Sequence, residues 1–555
     1  MLLIIGLDGA TWDLLDLWIE QGCLPHLARL RADATWGPLA STMPPATLPS
    51  WATFMTGVNP GKHGIFDFTR RQLGTYDVRF VNSTFRKSPT VWRLLSDAGR
   101  RVCVLGVPGT YPPESVNGCM ISGFDTPVTT RADASFITPA ELAPLVQAAG
   151  GFPFADFQEF RLDRNWHRRA LGRLLRGVEI KTRLARTLLS RDSWDCFMVL
   201  FGESDTVAHH FWRYHDPRSP RFDPAGAREF GDAIRHVYEA LDAAVGLLTE
   251  VVPEATVLIA SDHGFGGTGR KAVYLNHWLR EYGLQSAKPR RSGGHVAGRV
   301  KRAALRVLPA GLQARAFRLK GGRWASRLES RARFAGINWA QTRAFSEELN
   351  YFPNVWLNLK GREPEGVVAP SDYDRVCADV CAAAAGLRDP EHQQPIVRRA
   401  WRREDLYHGP WVQYAPDIIL EFNLDRAYSY ACLPTPEDGT PGAVRILDEA
   451  ACSGGKLAGM NGSHREAGIF LLANDARGAG GYRGDVQIAD MAPTILDLCE
   501  VEPHAEFDGR TVSAVVSRRT ESATDNAAFE RSERVYGPAE EDEIAARLVD
   551  LGYLQ

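Results

Sequence analysis

Three short apolar runs, each leading into an aspartate, constrain this chain more than any other feature. Leu2–Leu7 runs into Asp8. Trp194–Phe201 runs into Gly202-Glu203-Ser204-Asp205. Thr256–Ala260 runs into Ser261-Asp262-His263-Gly264. Apolar runs of this length read as strands buried on both faces of a parallel sheet. Helical patterns alternate with them, over Trp12–Glu20, Leu24–Leu30, Val91–Leu95 and Ala225–Val251. In the last, Phe230, Ile234, Val237, Leu241, Val245 and Leu248 recur at three- and four-residue steps. Further strands are expected at Val102–Leu105, Ile418–Leu420 and Ile469–Leu472, and helices at Tyr373–Ala385 and Val486–Leu498. The alternation predicts an α/β fold, a doubly wound and mostly parallel sheet flanked by helices. Ligands of such sheets gather outside the carboxyl ends of the strands. Asp8, Asp205 and Asp262 are therefore predicted to share one rim.

The length of 555 residues exceeds what one compact core holds, so a large domain with additions is expected. The expected division is a first core part over 1–268, an inserted cap over 269–450, a last core part over 451–516, and a linker with a short C-terminal helix over 517–555. The window 286–333 stands out within the cap, with fourteen Lys or Arg against the single acid Glu329. It reads as a solvated lid, with attraction of an anionic substrate or of a membrane surface as alternatives. A net charge of −2 argues against bulk nucleic-acid binding. Met1–Gly6 is too short for a signal peptide, and no apolar run approaches a membrane span. Nine scattered cysteines without a paired framework fit reduced thiols, so a cytoplasmic location is expected.

The stretch from Met43 to Gly57 reads as a loop entering a helix. Pro49 suits a first helical turn, and Thr47 sits just ahead of free backbone N–H groups and the positive helix end. The plain reading is a threonine N-cap. The chemical reading is a hydroxyl nucleophile for phosphoryl transfer, which needs a metal ion to lower its pKa. The carboxylates could supply the ligands. Asp205 and His209 are four apart and face one way on a helical turn. Asp262-His263 offers two more donors, and the Gly-containing loop at Gly462-Ser463-His464 another. Three Asp, three His and one hydroxyl suffice for two divalent ions, in an oxygen-and-nitrogen set that suits zinc, with manganese an alternative.

The order Asp8, Thr47, Asp205-x-x-x-His209, Asp262-His263, His464 resembles the alkaline phosphatase superfamily, and most closely its type I phosphodiesterase/nucleotide pyrophosphatase branch. Gly6-Leu7-Asp8-Gly9, Thr47-Leu48-Pro49-Ser50, His63-Gly64-Ile65, Ser261-Asp262-His263-Gly264-Phe265 and Gly462-Ser463-His464 carry the resemblance. So does Ile488–Leu496 with Gly509-Arg510. The whole chain looks similar to a bacterial set described as predicted phosphohydrolases or phosphomutases. The resemblance implies one zinc site at Asp205, His209 and His464, and another at Asp8, Asp262 and His263 with Thr47. Thr47 would form a phosphothreonine, and the Leu48 backbone N–H would help hold the phosphoryl oxygens.

One departure matters. The branch carries an asparagine shortly after His-Gly-Ile that binds a phosphoryl oxygen, whereas this chain reads Ile65-Phe66-Asp67-Phe68. Asn82, Arg86, Lys87, Asn461 and Arg465 are candidate replacements. His63 is expected to fix its own loop and His210 to pack, while Trp166–Arg169 reads as pocket lining or surface helix. The expected activity is hydrolysis of a small phosphodiester, a nucleotide among the candidates. Alternatives are a phosphomutase or phosphotransferase, a phosphomonoesterase, and a non-catalytic anion-binding protein. The resemblance argues against a sulfatase, because Thr47-Leu48-Pro49-Ser50-Trp51 lacks the Cys or Ser with its following Arg that such a nucleophile requires.

Overall fold

The computed structural model describes the chain apart from residues 128–133, 155–163, 289–332, 335, 437–441, 450, 453–459, 476–479, 503–505, 513–532 and 551–555. Nearly all of the basic window and the expected linker at 517–529 lie outside the described residues.

Leu2–Leu7 lies inside a ten-stranded sheet, with Thr256–Ala260 on one side and Cys196–Phe201 on the other, both parallel to it. Val102–Leu105 and Gly118–Ile121 continue the parallel run, which ends at the antiparallel edge Ile137–Thr138. On the other side, Ala467–Ala473 runs antiparallel between Thr256–Ala260 and Thr35–Ala40. Both faces are covered, and side-chain alternation divides the core. Leu3, Ile5 and Leu7 join one hydrophobic cluster, and Leu2 and Ile4 join another with Trp51, Phe54 and Met491. The doubly wound reading of the sequence holds.

A second, five-stranded sheet is built around the long strand Gly264–Val273, and a four-stranded sheet contains Ala344–Phe345, Asn354–Leu357, Ile418–Phe422 and Val397–Arg402. Helix Tyr373–Ala385 packs against the latter, burying Val376, Cys377 and Val380.

Three elements differ from expectation. The helix expected over Ala225–Val251 is two, Pro224–Phe230 and Ala233–Val251. At the break, a side chain on Gly231 would stand 2.7 Å from the Ala227 carbonyl. The helix expected from Val486 begins at Met491, because Val486–Gln487 pairs with Leu39–Ala40 at the sheet edge. Gly462–Arg465, expected as a loop, is a strand paired antiparallel with Gly264–Gly267.

Candidate active site

The rim is set by strand register. Gly6 lies opposite both Leu200 and Ala260, so the three parallel strands end level with one another. Asp8 follows its strand directly, Asp262 follows its own after Ser261, and Asp205 sits in the first turn of helix Glu203–His215. That helix carries His209 one turn further on. His464 arrives on the strand beside Gly264–Gly267, which itself continues from His263. The seven side chains meet, and all are buried.

The three imidazoles share one arrangement. Nδ1 lies 3.0 Å from the Gly462 carbonyl in His209, 3.0 Å from the Gly264 carbonyl in His263, and 2.8 Å from the Pro45 carbonyl in His464. A carbonyl oxygen only accepts, so each Nδ1 bears the ring proton and each Nε2 presents a lone pair. Those lone pairs converge with the carboxylates. Asp205 Oδ1 is 3.3 Å from Nε2 of both His209 and His464, whose Nε2 atoms are 3.1 Å apart. Nε2 of His263 is 3.3 Å from Asp262 Oδ2 and 3.6 Å from Asp8 Oδ1. The ligand atoms of Asp205, His263 and His464 lie within 4.8 Å of one another, as do those of Asp8, Asp262 and His263. His263 thus stands between the two sets, which form one continuous cluster.

These groups fit divalent cations. Asp8 Oδ1 and Asp262 Oδ2 are buried and accept no hydrogen bond from any described residue. Burial first, then the neighbouring Asp205 charge, pushes the Asp8 carboxyl well above the ordinary carboxylate range. Burial and then Asp8 do the same to Asp262. Burial would also raise Asp205; His209 and His464 hold it well below that range only while their rings carry a second proton, the positive charge that a cation at Nε2 would replace. Burial, and then His464, holds His263 far below the ordinary imidazole value. Crowded acids facing bare imidazole lone pairs are the donor set that a cation turns from repulsive to attractive.

Thr47 is the first residue of helix Thr47–Thr56, with Ala46 at the N-cap, so it lies one position inside the helix rather than capping it. Its Oγ1 is 3.1 Å from His263 Nε2. Because that nitrogen holds a lone pair, the hydroxyl donates. Leu48 belongs to the first turn, where backbone N–H groups have no acceptor inside the helix.

Other expected residues fall elsewhere. His63 Nε2 is 2.9 Å from Thr53 Oγ1, and its Nδ1 accepts from the Ile65 N–H, so it ties helix Thr47–Thr56 to the next loop. His210 packs edge-on to Trp166 within the core side of helix Glu203–His215. Asp67 is flanked by Thr69, Arg333 and Glu347. Asn82 caps the turn at Ser83–Phe85, Arg86 pairs with Glu114, Lys87 pairs with Glu533 at 2.8 Å, and the Asn461 amide donates to the His210 carbonyl. Of the five candidate replacements, Arg465 alone lines the cavity of about 1740 Å³ that opens beside His464.

Two neighbours of the site had no motif to reveal them. Trp51 Nε1 donates to Asp8 Oδ2 at 3.0 Å from the next turn of helix Thr47–Thr56. Tyr351, from the connection between Ala344–Phe345 and Asn354–Leu357, stacks on His464 with ring centroids 4.4 Å apart and lines the same cavity.

A mostly parallel sheet whose carboxyl rim gathers acids, imidazoles and a helix-borne hydroxyl defines an alkaline-phosphatase-like protein. The phosphonoacetate hydrolase of Sinorhizobium meliloti 1021, in complex with phosphonoformate, has this fold. It aligns at a TM-score of 0.52 with 15% identity, over 90% of this chain and 95% of that one. Murine ectonucleotide pyrophosphatase/phosphodiesterase 5 aligns at a TM-score of 0.45 with 12% identity, over 91% and 96%. No curated protein sequence matches. A family model described as type I phosphodiesterase / nucleotide pyrophosphatase matches residues 2–442. The chain belongs to that family, within the alkaline phosphatase superfamily, and is a phosphoester hydrolase of the phosphodiesterase/pyrophosphatase type.

Proposed function

We propose that the protein is a metal-dependent phosphodiesterase that works through a phosphothreonine at Thr47. Two divalent cations, zinc by the donor set and manganese as the alternative, would be held by Asp205, His209 and His464 and by Asp8, Asp262 and His263. The observation that supports this best is the 3.1 Å approach of Thr47 Oγ1 to the lone pair of His263 Nε2, beside acid oxygens that accept no hydrogen bond. When bound, such cations lower the pKa of a hydroxyl and of water and offset the charge of a phosphoryl group.

The chain supplies the rest. The Thr47 hydroxyl gives up its proton and its oxygen attacks phosphorus, while the opposite P–O bond breaks with its electron pair going to the leaving-group oxygen, which takes a proton from solvent and departs as the alcohol. The Leu48 N–H and the positive helix end hold the phosphoryl oxygens. Water then attacks the phosphothreonine and the Thr47 hydroxyl regains its proton. The cap over 269–450 forms one side of the cavity and receives the leaving group. All nine cysteines are free, which supports a reducing, cytoplasmic setting. No helix among the described residues is long and apolar enough to cross a membrane.

Thr47→Ala is the test, with bis(p-nitrophenyl) phosphate as substrate. Turnover is expected to fall at least about 10³-fold, on the scale of losing a nucleophile, while both metal equivalents stay bound. Undiminished hydrolysis would refute the role of Thr47. Hydrolysis in ¹⁸O-labelled water should place the label in the released phosphate; its absence would mark a transferase or mutase.

A further inference from the structure

Tyr351 is carried by the cap yet meets the rim of the main sheet. Its ring lies nearly parallel to that of His464, at 4.4 Å and 18°. His464 is also stacked on His263, at 3.6 Å and 19°. Two rings stacked closely on a third occupy its opposite faces, so His263, His464 and Tyr351 form one pile. The His464 imidazole is pinned in the plane by the Pro45 carbonyl at Nδ1 and across the plane by its two neighbours.

The connection that carries Tyr351 is itself fastened. The Glu348 carboxylate accepts from the backbone N–H of Asn276 at 2.8 Å and of Thr435 at 2.6 Å. Glu348 takes φ of 55°, an uncommon conformation for a non-glycine residue, and it turns the chain toward the site. Asn350 Oδ1 accepts from the Cys432 N–H at 2.9 Å, and Phe352 is buried with Phe66 and Tyr407. Tyr407 in turn donates to the Met43 carbonyl at 2.7 Å, two residues before the carbonyl that holds His464. The cap therefore grips both the ring and the loop that orients it.

We infer that Tyr351 is a positioning residue for His464, through which the inserted cap completes the metal-binding rim. Packing that fixes a ligand ring governs metal affinity by about 10–100-fold. This rests on the metal-site reading proposed above. The test measures zinc retention in the full chain by competition with a chromophoric chelator, for wild type, Tyr351→Phe and Tyr351→Leu. Wild type is expected to retain two ions. Phe, which keeps the stack, should retain both within about twofold. Leu should weaken one ion about 10-fold or more and leave the other unchanged. Val380→Ala, buried in the separate cluster under helix Tyr373–Ala385, controls for general destabilisation and should lower thermal stability without singling out one ion. Wild-type retention in the Leu variant, or equal loss in the Phe variant, overturns the assignment to Tyr351 while leaving the two-metal reading intact. A wild-type chain that binds no zinc overturns that reading itself.

Discussion

At the scale of the residue, the site depends on which atoms face inward. The candidate site residues were legible because acids at strand ends and an i,i+4 Asp–His pair are local patterns. Two of the three Nδ1-to-carbonyl contacts that expose the Nε2 lone pairs were not, because Gly462 and Pro45 are remote in the chain from His209 and His464, whereas His263 uses its neighbour Gly264. Tyr351 sits in Leu349-Asn350-Tyr351-Phe352, a run with no periodicity that would single it out. Asp67 is a different kind of case. Burial, partly offset by Arg333, raises its carboxyl to about 7. Between about pH 4 and 7 the folded chain keeps a proton that the unfolded chain has lost. Stability therefore falls as pH rises through that window, by up to about 1.4 kcal/mol per unit. Asp67→Asn removes the titration. The urea midpoint of wild type should drop relative to this variant between pH 5 and 8, and parallel pH profiles would contradict the assignment.

At the scale of the element, helix Thr47–Thr56 is bounded at both ends by tertiary demands. Its start fits the sequence reading to within one residue. Its end falls at Gly57, with φ of 67° and its N–H bonded to the Thr53 carbonyl at 2.8 Å. A side chain there would meet the Phe507 ring at 2.5 Å. Gly57→Ala adds about 1 kcal/mol of left-handed strain to that clash. A loss of about 1–3 kcal/mol in urea unfolding is expected, and an unchanged midpoint would show that the helix end relaxes freely. The strand Gly264–Val273 gives a second case. Gly266 leaves room for the Arg465 guanidinium, which a side chain would approach at 2.6 Å. Gly266→Ala should displace Arg465 and with it the strand that carries His464. Reduced zinc retention with a near-normal melting temperature is the expected result, measured by chelator competition and calorimetry. Two of the three elements misread from sequence share one cause. At Val486–Gln487 and Gly462–Arg465, pairing with strands distant in the chain overrode the local pattern.

At the scale of the molecule, the acid cluster links metal, protons and stability. In the metal-free chain, Asp8 and Asp262 keep protons that an unfolded chain would release above about pH 4. Metal-free stability should accordingly decline as pH rises, whereas cation binding displaces those protons and tightens. The gap in melting temperature between zinc-loaded and chelator-treated protein should therefore widen from pH 5.5 to pH 8. At a ligand excess of 100 Kd the stabilisation is about 2.7 kcal/mol. A gap that narrows with rising pH would contradict the cluster as a metal site.

The strand Ala467–Ala473 lies between Thr256–Ala260 and Thr35–Ala40, and His464 immediately precedes it. On the ribosome, the two flanking strands emerge long before the one that joins them. Until then the nascent sheet is open down its length, and three acids crowd the rim with one imidazole still to come. A stall or protease cut within the cap would strand the chain in that state. Delivery of one late segment closes the sheet and finishes the rim together.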